Sequence, residues 1–222
     1  MLKAILLKEW AKTGRCYLCI LAVVAAVVAY QMVNISKTVE FSGIASLWED
    51  MTEHDSVLVE MLQYLPPVAA LVLAISQYVP EMQQKRLKLM LHLPYSQTRM
   101  MAVVYAYGVG LLLLVAAVET LALQLLLIHY LPQVLVSRVL LTTLVWHVAA
   151  WLVYTWIAAV CLEPTWRMRL VYLCVLAAWV GVCYLSPVAE AYNRFLPLMV
   201  LWTLLSATVI MTSVGRFKEG KE

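Results

Sequence analysis

The sequence predicts an all-α, polytopic membrane protein with six transmembrane helices and cytoplasmic N- and C-termini. Hydrophobic residues make up 64% of the 222 residues and charged residues only 13%, whereas a soluble domain carries about 25% charged and 45–50% apolar residues. Long runs with few or no charged residues recur, and each is long enough to supply the roughly 20 residues that a helix needs to cross about 30 Å of hydrocarbon. No low-complexity linker divides the chain, so residues 1–222 are predicted to form a single transmembrane domain.

The apolar runs are predicted to be helices rather than strands of a barrel. Hydrocarbon offers no partner for an unpaired backbone amide, so only helices and closed barrels cross a membrane. Barrel strands alternate in polarity at every second residue over about ten residues, and these runs do not. The predicted spans cover residues 16–34, 61–79, 100–128, 135–161, 169–187 and 196–214.

An amphipathic stretch, residues 1–15, precedes the first span. The apolar side chains that can share one helical face are Leu2, Ile5, Leu6 and Trp10. The lysines on another face are Lys3, Lys8 and Lys12. This pattern predicts an interfacial helix in the headgroup plane, with its lysines towards anionic lipid. The alternative is a frayed, basic N-terminus.

The distribution of basic residues predicts the orientation. Short cytoplasmic loops hold the excess of Lys and Arg. With the N-terminus inside, only Lys37, Arg138 and Arg194 of the 16 Lys and Arg residues fall outside. The net charge of +3 does not indicate a nucleic-acid partner, because the basic residues cluster in loops rather than on one soluble face.

The first outer segment, residues 35–60, is acidic and contains a helical pattern. Its apolar residues recur at roughly helical spacing and are Ile44, Leu47, Trp48, Met51, Leu58 and, just beyond, Met61. This pattern predicts an amphipathic outer helix over residues 44–62 that runs into the second span. Pro66 and Pro67 are expected to begin or kink that span.

Two ionisable residues, Glu119 and His147, lie inside predicted spans. Counted from the outer turn near residues 131–134, each lies roughly 18–20 Å deep. A charge at that depth costs at least a few kcal/mol, so such residues usually face a cavity or a partner. One interpretation pairs them in a translocation path or a protonation-sensitive gate. The other makes a protonated Glu119 a structural link between helices.

Motifs for catalysis or nucleotide binding are missing or incomplete. The sequence has no GxSxG serine motif, no HExxH zinc motif and no Asp within a predicted span. Residues 215–221 fit GxxxxGK, but Glu222 stands where magnesium binding requires Ser or Thr. We therefore predict no catalytic residue, no metal ligand and no cofactor held by this chain.

The longest basic polar segment, residues 80–99, separates the second and third spans. Its marked positions are, in order, Glu81, Arg86-Leu87, Leu89-Met90-Leu91, Leu93-Pro94 and Ser96. This order resembles the type-2 permease family of ATP-binding-cassette (ABC) exporters, as does Lys8-Glu9 ahead of the first span. Lys85-Arg86 stands where that family commonly has a Gly-Thr pair.

The resemblance implies a coupling helix over residues 82–92 that sits in a groove of a separate cytoplasmic ABC ATPase. That ATPase would bind ATP and Mg, and the permease would pair with a second copy of itself or with a related chain. The implied coupling residues are Glu81, Lys85, Arg86, Leu87, Met90, Leu91 and Pro94. The alternative is that this loop is only a cluster of positive charge that sets topology.

The predicted function is that of a permease subunit of an exporter in a bacterial inner membrane, moving an apolar or amphipathic substrate and catalysing nothing itself. One alternative is a non-transporting anchor that passes ATP-driven motion to an extracytoplasmic partner docked on the helix at 44–62. Another is an intramembrane enzyme that uses Glu119 and His147.

Overall fold

The computed structural model describes residues 2–83, 96–186 and 188–218. Within these ranges the chain is helical and contains no strand, and six helical stretches are long and apolar enough to cross a membrane. The all-α prediction and the six candidate spans are therefore confirmed. The helices are α1 (Leu2–Thr52), α2 (Leu65–Gln83), α3 (Gln97–Leu127), α4 (Gln133–Leu162), α5 (Trp166–Cys183), α6 (Leu196–Ser206) and α7 (Thr208–Lys218).

The first helix is longer than the sequence suggests. Residues 2–15 are not a separate element, because they continue without a break into the first span as part of α1. The one residue inside α1 with non-helical backbone angles is Gly43, at φ 81° and ψ 163°. That region of backbone space is essentially restricted to glycine, so the helix bends there and residues 44–52 form its last segment.

The outer helix predicted over residues 44–62 is wrong in its extent. Helical structure stops at Thr52, and a short 3-10 helix (Glu60–Tyr64) leads into α2. Pro66 and Pro67 lie in the first turn of α2, where a missing backbone N–H is tolerated, so they begin the helix. Arg138 at the start of α4 pairs with Asp55 in the intervening loop.

The central element of the bundle is α4, the most buried of the six candidate spans. It packs against α2, α3, α5, α6 and α7, and its contact with α2 is the most extensive. The first helix lies against α2 and α3. Large apolar side chains such as Leu113, Leu121 and Leu125 are exposed on the outer surface, which suits a chain surrounded by hydrocarbon rather than water.

Candidate functional site

Four charged side chains join the start of α1 to the end of α2, and we call them the charge cluster: Lys8, Glu9, Lys12 and Glu81. Glu81 Oε1 lies 2.8 Å from Lys8 Nζ and 2.7 Å from Lys12 Nζ. Lys12 Nζ also lies 2.9 Å from Glu9 Oε2. Two ammonium groups thus face two carboxylates, and the end of the bundle where they lie is called the charged end.

The charge cluster is largely shielded from solvent. Glu9 is 0% and Glu81 2% exposed, and the Lys12 side chain is 8% exposed. Lys12 Nζ additionally donates a hydrogen bond to the Gln77 carbonyl oxygen at 3.1 Å. A buried charge is tolerated only when paired and hydrogen-bonded, so Lys12, which donates hydrogen bonds to Glu81 and Gln77 and forms an ion pair with Glu9, is the centre of the cluster.

The residue spacing explains why these groups meet. Lys8 and Lys12 are four residues apart on α1, and Gln77 and Glu81 are four residues apart on α2. Residues at this spacing lie on the same face of a helix. The two polar faces meet where α1 and α2 pack together, so the interface consists of ion pairs at this end.

A hydrogen-bonded network extends the charge cluster towards α4. The Gln77 side chain donates from Nε2 to the Val104 carbonyl oxygen at 2.9 Å. Gln77 Oε1 accepts a hydrogen bond from the Tyr154 hydroxyl at 2.8 Å. The Tyr154 and Tyr78 hydroxyls are 3.2 Å apart. Gln77, Tyr78 and Tyr154 are all buried, so α2, α3 and α4 are joined by polar contacts inside an apolar bundle.

Three further polar contacts involve α3. The Thr13 hydroxyl on α1 lies 3.0 Å from the Tyr107 hydroxyl. Tyr105 OH accepts from Trp151 Nε1 at 2.8 Å and is 2.8 Å from Thr155 Oγ1. These contacts link α1 to α3 and α3 to α4.

Gly108 on α3 allows this network to form. A Cβ atom built on Gly108 would collide with the Tyr154 hydroxyl and would come within 2.6 Å of Gln77 Oε1. Only a residue without a side chain lets Tyr154 reach Gln77 across the face of α3.

The predicted coupling residues are only partly described by the structure. Glu81 is buried and paired with Lys8 and Lys12 rather than presented to an outside partner. Outside the described residues lie Lys85, Arg86, Leu87, Met90, Leu91 and Pro94, together with most of the predicted coupling helix. α2 ends at Gln83, directly before these residues in the sequence. Glu81 of the charge cluster therefore lies in the last turn of α2, just ahead of the predicted coupling residues that follow it.

The interfacial prediction for the N-terminal lysines needs correction. Lys8 and Lys12 were expected to face lipid headgroups, but their ammonium groups contact Glu81. Lys3 is exposed, as are Leu2 and Trp10. The physical reason is that Glu9 and Glu81 are buried and need cations beside them, so the polar face of α1 turns towards α2.

The structure does not bring Glu119 and His147 together. No hydrogen bond or ion pair joins them within the described part of the chain. Glu119 on α3 is fully buried with both carboxyl oxygens unpartnered. His147 on α4 lines a largely apolar cavity of about 300 Å³ between α2, α3, α4 and α6, and Glu119 is absent from its lining. The pairing hypothesis therefore has no support from the geometry.

Glu119 provides a first testable prediction. We expect Glu119→Leu to keep or raise the apparent melting temperature in detergent, because an unpaired buried polar group costs about 1–3 kcal/mol. Glu119→Gln, which leaves a polar amide buried at the same place, should raise the melting temperature less. Thermal unfolding followed by circular dichroism measures both variants. A marked loss of stability in Glu119→Leu would show that the carboxyl has an energetically important partner.

Sequence reasoning missed most of the network, although one signal was present: the polar pairs Lys8/Lys12 and Gln77/Glu81 recur four residues apart.

Across residues 2–83, 96–186 and 188–218, no three His, Cys, Asp or Glu side chains are grouped so as to hold a metal ion. Comparisons of the chain with protein-family models, with curated proteins and with solved structures found no match.

Proposed function

We propose that this chain is the transmembrane permease subunit of an ABC exporter in a bacterial inner membrane. In this proposal a separate cytoplasmic ATPase binds and hydrolyses ATP with Mg. The permease pairs with a second permease chain and moves an apolar or amphipathic substrate. The observation that carries the proposal is the position of the charge cluster, which ties α1 to the end of α2 directly before the basic segment 84–95.

The charge cluster would act as the joint between an ATPase and the spans. A force on segment 84–95 reaches the last turn of α2, where Glu81 holds Lys8 and Lys12 of α1. Gln77 lies four residues before Glu81 on α2, and its hydrogen bond with Tyr154 would transmit the displacement to the central helix α4. Ion pairs and buried hydrogen bonds have defined geometry, so the helices at this end would move together rather than slide past one another.

The cavity beside His147 supports the proposed apolar or amphipathic cargo. Its lining is mostly aliphatic, with Pro66, Leu112 and Val200 contributed by three helices, and the rim residue Leu113 is exposed on the outer surface. An apolar cavity open to the hydrocarbon side accepts an apolar group and disfavours a hydrophilic solute. This supports an apolar or amphipathic substrate.

Co-purification tests the permease proposal. The chain is expressed with candidate ABC ATPases of the same organism, purified through the permease and assayed for ATP hydrolysis. We expect Arg86→Ala with Leu87→Ala to lose the ATPase, because these residues would form the contact. Glu81→Gln should retain the ATPase but alter its activity, because it loosens the joint without touching the contact.

A matched control is Lys3→Ala, which removes an exposed basic residue of α1 outside the loop. It should behave as the parent chain in both assays. If no ATPase co-purifies, or if the Arg86/Leu87 variant matches Lys3→Ala, segment 84–95 is only a topology signal and the proposal fails.

A second candidate keeps the ATPase but changes the output to motion passed to an extracytoplasmic partner. The part of α1 on both sides of the bend favours it, because Phe41 before Gly43 is 85% exposed and Ile44 and Trp48 after it are about half exposed. Ile44→Ser with Trp48→Ser should abolish partner capture while leaving ATP hydrolysis unchanged. Simultaneous loss of both activities would argue against this version. An intramembrane enzyme using Glu119 and His147 gains nothing from the geometry.

A further inference from the structure

A cavity of about 170 Å³ lies at the end of the bundle opposite the charge cluster, between the 3-10 helix, α4 and the segment after α5. Its lining includes two carboxylates, Glu60 and Glu190. Among the described residues no Lys or Arg lines it, and neither Glu60 nor Glu190 belongs to an ion pair with another described residue. Glu60 is exposed and Glu190 is partly buried, so the cavity carries two carboxylates, one of them accessible to solvent, and no lining Lys or Arg among the described residues neutralises them.

Aromatic rings make up much of the remaining wall. Tyr64 and Tyr184 are stacked, with centroids 5.8 Å apart and planes 20° from parallel, and Trp146 and Tyr192 also line the cavity. The Tyr184 hydroxyl donates to the Gln63 carbonyl oxygen at 2.6 Å, which fixes its ring. Ring faces carry negative potential and attract cations, most strongly when the cation is poorly hydrated.

The backbone holds one of the two carboxylates in an unusual conformation. Glu190 has φ 61°, in the left-handed region that residues other than glycine seldom adopt. Its N–H donates to the Thr142 hydroxyl of α4 at 3.2 Å. Both Glu190 and Thr142 line the cavity, so a strained residue is held at the wall by a bond to the central helix. Such strain persists where the surrounding structure enforces it, and it clusters at ligand sites.

From the carboxylates, the ring faces and the size of the cavity, we infer that it binds an organic cation through a quaternary or alkylated ammonium group. Carboxylates supply charge neutralisation, and the tyrosine and tryptophan rings contact the methyl groups around the nitrogen. The volume is below the roughly 300–1,000 Å³ typical of sites for drug-sized ligands. The cavity therefore takes a small cation or only the cationic head of a longer amphipathic one.

Choline and its neutral isostere 3,3-dimethylbutan-1-ol provide the test, because they share a shape and differ in charge. The full chain is purified in a non-ionic detergent, and binding of labelled choline is measured by equilibrium dialysis with each compound as competitor. We expect choline to compete at least about tenfold better than the alcohol. The double variant Glu60→Gln/Glu190→Gln should bring the two compounds to equal, weak competition.

Two further variants make the test specific. Glu49→Gln/Glu53→Gln removes two exposed carboxylates near the same end that do not line the cavity, and it should bind choline as the parent chain does. Tyr64→Leu removes one ring face without changing the charge and should weaken choline binding several-fold while leaving the alcohol unaffected.

The inference fails if choline competes no better than the alcohol, in which case the rings belong only to an aromatic belt. It also fails if the Glu49/Glu53 control weakens binding as much as the Glu60/Glu190 variant, because the effect would then be diffuse charge. No ATPase is present in this measurement. Its outcome is therefore independent of the permease proposal, which rests on co-purification.

Discussion

Replacing Lys12 with methionine is expected to lower the free energy of unfolding by about 3–5 kcal/mol, the usual cost of removing one partner from a buried ion pair. Lys12 is the only cation in contact with Glu9 within the described residues, and it shares Glu81 with Lys8. Methionine keeps most of the side-chain volume, so the loss reports charge rather than packing. Chemical unfolding in detergent micelles, followed by the helical circular dichroism signal, measures the change.

Lys8→Met is the matched control, because it removes a lysine of the same cluster. The Lys8 side chain is 30% exposed and pairs with Glu81 at 2.8 Å. Lys8 is partly accessible to water, and buried Glu81 keeps its pair with Lys12 when Lys8 is removed, so the loss should be less than about 1 kcal/mol. Combining Lys12→Met with Glu9→Gln and Glu81→Gln should recover much of the lost stability, since no uncompensated carboxylate remains. Equal losses from Lys8→Met and Lys12→Met would contradict the central position given to Lys12.

After Lys12→Met, we expect the largest decrease in the free energy of unfolding from Gly108→Ala, although this substitution adds only a single methyl group. The new Cβ would collide with the Tyr154 hydroxyl and crowd Gln77 Oε1. Both side chains are fully buried and cannot move to open space. Overpacking of this kind costs about 1–3 kcal/mol, and loss of the Tyr154–Gln77 hydrogen bond adds about 1 kcal/mol. The same unfolding assay measures the effect.

Gly110 is the internal control, since it lies two residues further along the same helix. Nothing lies within 4 Å of a Cβ built on Gly110. Gly110→Ala should therefore be neutral or stabilising, as alanine is favoured over glycine in a helix by about 1 kcal/mol. Adding Tyr154→Phe to Gly108→Ala removes the colliding hydroxyl and should restore part of the stability. The steric account is wrong if Gly108→Ala unfolds at the same denaturant concentration as Gly110→Ala.

The helices were predictable from sequence because an apolar run of membrane length leaves the backbone few other conformations. Their bounds agree to within a few residues for α3 and α4, where a turn or a proline ends the pattern. The length of α1 was not predictable in the same way. The change from basic to apolar composition near Cys16 suggested two elements, but a change of composition is no break in hydrogen bonding.

The charge cluster could not be predicted from sequence, because it depends on contacts between residues 69 apart in the chain. Lysines near a membrane-length run suggest headgroup contact, and Glu81 suggested a contact with an ATPase. Neither pattern shows which side of α1 turns towards α2. That choice depends on the burial of Glu9 and Glu81, which only the packed bundle reveals.

The sequence separation within the charge cluster also constrains the order in which this chain can assemble. Lys12 leaves the ribosome 69 residues ahead of Glu81, so α1 is synthesised while an essential acceptor of its buried lysine does not yet exist. Until then Glu9 of the same helix is the partner of Lys12 within the charge cluster, and a charged side chain that lacks part of its pairing is held near water. The first helix therefore reaches its final position only after the end of α2 has been made, and segment 84–95 is the next part of the chain to emerge.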